Sequence, residues 1–273
     1  MRTSAASHRA RIAARLAPAL ALATIAGLLA LRDVDPSHLA PERSFCAASG
    51  SHPLGCGEAG VDLLAIVSHG VIRAIVLAAA VALIGFLVGA PLGALAALRR
   101  GFLERVVDRA CDLVQAFPSF LLALTVLSSV RTPTRFHLFA VFSLTAWAPF
   151  ARLALAEGRV LRGSGFVEAA RALGRGPFAI LRVHVLPNLF GVLAVQLGAS
   201  AAAVVVSEAA LGFVGLVPAG GASLGALLDQ GTAVMLRAPH VLAVGSVAVF
   251  ATSVSLLVAG RALGSRASSV DSG

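Results

Sequence analysis

The 273-residue chain is 58% hydrophobic and only 13% charged, with a mean hydropathy of +0.90. A soluble domain carries about a quarter charged residues, so this composition argues against a soluble enzyme and for a membrane protein. The net charge of +9 would suggest nucleic acid in a soluble chain, but all 22 basic residues are Arg and they flank apolar runs, where they read as determinants of membrane orientation.

The first apolar window, 16–31, follows a basic start with Arg2, Arg9, Arg11 and Arg15. That order resembles a secretory signal. No small-x-small cleavage site follows, because LLALRDVD intervenes, and the window is read as a retained span. The polar stretch after it holds Cys46 and Cys56, with no CxxC or HxxxH partner to suggest a metal. A disulfide between them and two unpaired thiols both fit; an oxidising compartment favours the bond.

Crossing ~30 Å of hydrocarbon takes about 20 mostly apolar residues. Further uncharged windows run 74–98, 113–130, 136–151, 183–207, 209–228 and 238–260. The window at 209–228 contains Pro218 and the pair Gly220–Gly221; it is expected to finish the preceding helix and then become a loop, which leaves six spans. The windows 16–31 and 136–151 are short, so Arg15, Arg32, Arg135 and Arg152 are expected within helix ends, snorkelling to the interface.

Polar residues inside spans are the default functional candidates. Asp112 and Gln115, three apart, open the third span on one face. Pro118 then invites a kink, and Ser119 helps to satisfy the freed carbonyls. Glu208 lies near the far end of the fifth span. Pathway lining competes, for each of these, with helix-end solvation or an interhelical hydrogen bond. His52, His69, His137 and His240 are scattered with no pair at i and i+4, so no metal site is expected.

Between the fourth and fifth spans the chain interrupts itself with FVEAARALGRGPFAILRVHVLPNL, residues 166–189. Phe166, Ala169, Ala170 and Leu173 fall at i, i+3, i+4 and i+7 and make one apolar helix face, with Glu168, Arg171 and Arg175 on another. Ser164 or Gly165 caps the start, Glu168 suits the helix N-terminus, and Gly174 stops the helix. Pro177 begins a second short helix carrying Phe178, Leu181 and Val185, which Pro187 ends with a turn into the next span. Arg171 and Arg175 repel each other at i and i+4. Physics alone leaves an anionic lipid surface and an acidic protein surface as equal partners for this segment.

The Arg distribution sets orientation. Residues 1–15, 99–110, 152–182 and 261–273 carry sixteen Arg, and the other side carries six: Arg32, Arg43, Arg73, Arg131, Arg135 and Arg237. Both termini and the segment at 166–189 are therefore expected in the cytoplasm, and Cys46 and Cys56 outside.

The spacing EAARALG, nine residues, then HVLP resembles the EAA loop of ABC-transporter permeases, with Glu168, Ala169, Ala170, Gly174, Leu186 and Pro187 matching. HPLGCGEAGVDLLA at 52–65, DLVQAFPSFLLAL at 112–124 and SEAALGFVGL at 207–216 resemble segments of the C-type subunit of dipeptide, oligopeptide and nickel permeases. Together these cover most of residues 52–263. The family's GRD is Gly60-Val61-Asp62 here, without its arginine, and its PSWG is Ala222-Ser223-Leu224-Gly225, without its tryptophan.

The resemblance implies an all-α, polytopic membrane protein with six transmembrane helices and a cytoplasmic EAA coupling-helix loop, the type I ABC importer permease fold. Its units would be a tail, first helix and outer loop at 1–51, the permease domain at 52–263 with the EAA loop at 164–188, and a tail at 264–273. It further implies a non-catalytic inner-membrane subunit that binds no cofactor itself. Its partners would be a B-type permease as heterodimer, two ABC ATPases that use ATP and Mg, an extracytoplasmic binding protein and the lipid bilayer, with no nucleic acid. Glu168, Ala169, Ala170, Arg171, Gly174, Leu186 and Pro187 would couple it to an ATPase. A stand-alone secondary transporter needs acidic residues at mid-span and often a repeat, and neither is evident. A non-transport docking component using the same loop is the third reading.

Overall fold

The computed structural model describes residues 41–216 and 223–270, with side chains to 265. The first apolar window, 16–31, and the pair Gly220–Gly221 lie outside the described residues.

Nine α-helices carry these residues: α1 Leu63–Arg99, α2 Phe102–Ala116, α3 Ser119–Ser129, α4 Arg135–Leu161, α5 Gly165–Ala172, α6 Pro177–Ile180, α7 Leu186–Phe213, α8 Leu224–Ala233 and α9 Pro239–Val270. There are no strands among the described residues. Four helical stretches are long and apolar enough to cross a membrane: Leu63–Arg99, Arg135–Leu161, Pro177–Phe213 and Pro239–Ser265. α2 and α3 make a fifth when the bent pair is taken as one span.

Polar residues set where α1 and α4 begin. α1 starts at Leu63, well before the window at 74, because Asp62 caps it: its Oδ1 accepts from the Leu64 N–H at 2.8 Å, and its other oxygen meets His52 Nδ1 at 3.1 Å. α4 starts at Arg135 because Thr134 and His137 close a capping box, the Thr134 N–H donating to His137 Nδ1 at 3.1 Å. Arg135 thus sits at a helix end, as expected. Arg152 does not: α4 runs on to Leu161, so Arg152 lies within the helix and is held by a carboxylate.

The third window is not one straight helix. α2 and α3 meet at an angle of 64°. Pro118 cannot donate to the carbonyl of Val114, and it pushes Phe117 into extended backbone at φ −100°, ψ 122°. α3 alone is 11 residues, about 16 Å, or half a bilayer.

Beyond α7 the chain closes on Gly215 in the left-handed region, at φ +79°, with the Leu216 N–H reaching the Leu211 carbonyl at 2.9 Å. The stretch after it, expected as loop, instead becomes α8 from Leu224 on. Ser223 caps this helix, its Oγ accepting from the Ala226 N–H at 3.4 Å.

Small residues set the packing. Gly85, Gly89 and Gly93, four apart, form a stripe on α1 that lies against the backbone of Ala146, Trp147 and Ala151 on α4, and Gly158 of α4 sits over Ala97. Gly198 of α7 crosses Gly260 of α9 in the same way, and Gly264 meets Gly191. Lipid tails remove the hydrophobic drive between helices, so close backbone approach through small residues replaces it. Phe150, fully buried, stacks edge-on with Phe86 at 6.2 Å, while Leu87 and Phe250 stand exposed on the outside.

Candidate functional site

α4 delivers the chain to α5 through Arg162 and Ser164. Ser164 occupies the N-cap, but its hydroxyl donates back to the Leu161 carbonyl at 2.5 Å instead of capping α5. Val167 and Ala170 are buried in the core with Ile180, Leu181 and Val185. Phe166, Glu168, Ala169 and Arg171 face outward, and Leu173 is 82% exposed. The expected apolar stripe of Phe166, Ala169, Ala170 and Leu173 is therefore mostly the outward face. Both sides of this helix are apolar, and Val167, unmarked by the i, i+3, i+4, i+7 pattern, is its anchor.

Gly174 closes α5 in a Schellman motif. Its φ is +77°, the Gly174 N–H donates to Arg171 at 2.9 Å, and the Arg175 N–H donates to Ala170 at 3.0 Å. Pro177 then starts α6 after the N-cap Gly176. Phe178 is 67% exposed rather than packed with Leu181 and Val185, and the His184 ring lies 6.1 Å from that of Phe166.

Pro187 does not end this helix. Residues Leu181–Val185 form one π-helical turn, the Leu186 N–H reaching back five residues to Leu181, and the helix continues through Pro187 to Phe213. The wider turn relieves the missing N–H and the ring clash that a proline brings to an α-helix. α6 and α7 consequently form one rod, half-buried at Leu186 and exposed at Pro187.

Three helices are tied together by arginines. Glu104, Asp108 and Asp112 recur every four residues on α2 and face Arg152 and Arg159 of α4 and Arg162 just after it. Arg159 meets Glu104 at 2.7 Å and Asp108 at 2.9 Å, Arg162 meets Glu104 at 3.3 Å, and Arg152 meets Asp112 at 2.6 Å. Arg162 also donates to the Ala97 carbonyl of α1 at 2.8 Å. The Arg159 hydrogen bond holds the Glu104 carboxyl below the usual carboxylate range, against the opposing effect of burial.

The four polar candidates of the spans divide. Asp112 is spent on Arg152 and, at 3.4 Å, on Arg109. Gln115 and Ser119 line a cavity of about 300 Å³ at the α2–α3 break. Thr145, Ser200 and Ser207 line it too, and sequence reasoning missed them. Ser200 and Ser207, seven apart on one helix face, were the available signal. Glu208 is half-buried outside this lining, in the fields of Arg135 and Arg73.

At the opposite end Cys46 and Cys56 are joined in a disulfide, Cα to Cα 4.8 Å. The loop folds onto α8 and α9: Gly55, at φ +83°, abuts the His240 ring, and Gln230 donates to Glu58 at 3.2 Å. Asp62 of the GVD triplet is the α1 cap. Gly225 of the ASLG stretch touches Gly212 so closely that no Cβ fits.

Comparison with known proteins places this geometry. The family model of the binding-protein-dependent transport system inner membrane component matches residues 89–268. The glutathione transport system permease protein GsiD of Pectobacterium atrosepticum is 32% identical over 79% of this chain and 71% of its own length. The protein of that name from Shigella dysenteriae is 33% identical over 60% of this chain, and the match spans about half, 54%, of its length. Among solved structures, an inward-facing conformation of the MetNI methionine ABC transporter aligns with a TM-score of 0.60 at 21% identity, covering 72% of this chain and 94% of the other, a likeness of fold. With more than half of its length inside the family model, the chain belongs to the inner membrane components of binding-protein-dependent transport systems.

Proposed function

We propose that this chain is one permease subunit of an ATP-driven importer for peptides or a related small solute, and that α5 is the element on which a partner ATPase acts. The observation that carries the reading is the two-sidedness of α5. Val167 and Ala170 are seated in the bundle core, while Phe166, Ala169 and Leu173 present an outward apolar face beside Glu168, Arg171 and Arg175. A push on the outward face is passed to the bundle through the inward one.

The excess of Arg at the α5 end puts that end in the cytoplasm, with both termini, and puts the disulfide loop outside. The proposed assembly holds a second, B-type permease, two ATPases below and a binding protein above. ATP and Mg²⁺ belong to the ATPases, and this chain makes and breaks no bond. Closure of the ATPases moves α5, and the rigid path from α5 into α6 and α7, with the ion pairs from α4 to α2, carries the movement into the spans as rigid bodies. Peptides are the proposed cargo because relatives carry the name of glutathione permeases.

Co-purification tests this reading. Tagged wild-type chain, expressed with its transporter subunits, retains the ATPases, whereas Phe166→Asp with Leu173→Asp loses them and keeps the second permease. Equal ATPase recovery from the variant would overturn the assignment of α5.

A further inference from the structure

The cavity at the α2–α3 break lies between prolines of two helical segments. Pro118 and Pro149 both line it, and so do Val114 and Thr145, the residues four positions before each. A proline has no N–H to return to the carbonyl at i−4, so the Val114 and Thr145 carbonyls lose their helical donors at one place. Pro118 stands at the α2–α3 break and Pro149 inside the unbroken α4, so each of two helices leaves one carbonyl without its i+4 N–H at a residue that lines the same space.

The side chains around it complement those carbonyls. Ser200 accepts from Gln196 Nε2 at 3.0 Å, which leaves its own O–H to donate. Thr145 Oγ1 donates to the Phe142 carbonyl at 3.2 Å and keeps its lone pairs. Gln115 supplies a donor and an acceptor. No ionisable side chain lines the cavity among the described residues, and the nearby carboxylate, Asp112, is already paired with Arg152. The volume of about 300 Å³ is at the low end of the range for small-molecule sites.

We infer that this cavity is a contact site on the transport pathway for an uncharged group that both donates and accepts hydrogen bonds, the backbone amide of a peptide. Charged ends of the cargo find no partner here and are left to other surfaces. The inference rests on the permease reading above and deepens it. Matched donors and acceptors in a site without charge hold an amide loosely, as a pathway requires, because each neutral hydrogen bond adds little net free energy.

Cysteine labelling in the assembled, reconstituted transporter tests it. Ser200→Cys and Ser207→Cys are near-isosteric, and the free thiol already present in the described residues, Cys111, is buried and donates to the Ala148 carbonyl at 3.6 Å. A trimethylammonium-ethyl methanethiosulfonate reagent is expected to label both variants at least roughly tenfold faster than Leu87→Cys on the exposed face of α1, since a fixed charge enters hydrocarbon poorly. Trialanine at saturation is expected to slow that labelling about threefold or more, and its N-methylated analogue, which lacks the N–H donors, to protect less. Labelling no faster than at Leu87→Cys, no protection by trialanine, or equal protection by the N-methylated analogue would each overturn the inference. Trialanine uptake by the wild-type transporter separates the two levels. If the wild type does not import trialanine, the permease reading fails; if it imports trialanine and Ser200→Cys resists the reagent, the cavity alone fails.

Discussion

Gly89 and Gly174 are both glycine, for opposite reasons. Gly89 has ordinary helical backbone, but a Cβ there meets the Trp147 carbonyl, Phe150 Cβ at 2.9 Å and the Ala151 nitrogen at 3.0 Å. Gly174 has nothing within 4 Å of a Cβ, yet its φ is +77°. The bundle seam demands the absence of volume; the α5 turn demands a backbone conformation. A membrane bundle held by close approach cannot spare its seam glycines without losing the fold. A protruding segment can be altered with the fold intact, which is what a surface worked by another protein requires.

That contrast orders the expected effects. Gly89→Leu drives a side chain into the α4 backbone, overpacking that costs ~1–3 kcal/mol or more, and it should deplete the inserted protein on membrane immunoblots. Gly174→Val places a β-branched residue in the left-handed region, a local strain of about 1–3 kcal/mol. It should leave abundance near normal while abolishing uptake; uptake in proportion to abundance would dissolve the distinction. A smaller effect is expected at the charge ladder. Glu104→Arg or Arg159→Glu alone should lower uptake, and the exchanged pair should regain part of it, since a partly exposed pair is worth ~0.2–1 kcal/mol; additive losses in the double variant would show that the pair is not coupled.

The smallest effect is one of pH. The folded Glu104 carboxyl titrates below its unfolded value because of Arg159. Its contribution to stability is present above the usual carboxylate range and is lost as pH falls through the lowered folded value. The melting difference between wild type and Glu104→Gln in detergent should therefore be present at neutral pH and vanish in acid.

Much of this was legible in the residues. The windows at 74–98, 136–151 and 183–207 each fall in a helix, as does 238–260 from Pro239 on, and Gly174 stops α5 through its positive φ as a C′ glycine does. What escaped was set by tertiary context. Periodicity identified an apolar face on α5 but not which of two apolar faces turns inward, because Val167 and Leu173 look alike in sequence. Pro187 reads as a helix end by local rules, yet a π turn one step earlier absorbs it. α8 was hidden behind the Gly and Pro residues before it, although Ser223 is a standard cap. At the candidate sites, Asp112 and Gln115 share a helix face, and only the arginine on α4 separates a structural carboxylate from a cavity residue.

Cross-linking from α5 tests the central claim most directly. Leu173→Cys, exposed, and Leu87→Cys on the bundle exterior are compared in the purified, active transporter with a short bis-maleimide. The account predicts an adduct between Leu173→Cys and an ATPase subunit, and none from Leu87→Cys. An active transporter in which Leu173→Cys reacts with the reagent but never joins an ATPase would contradict it.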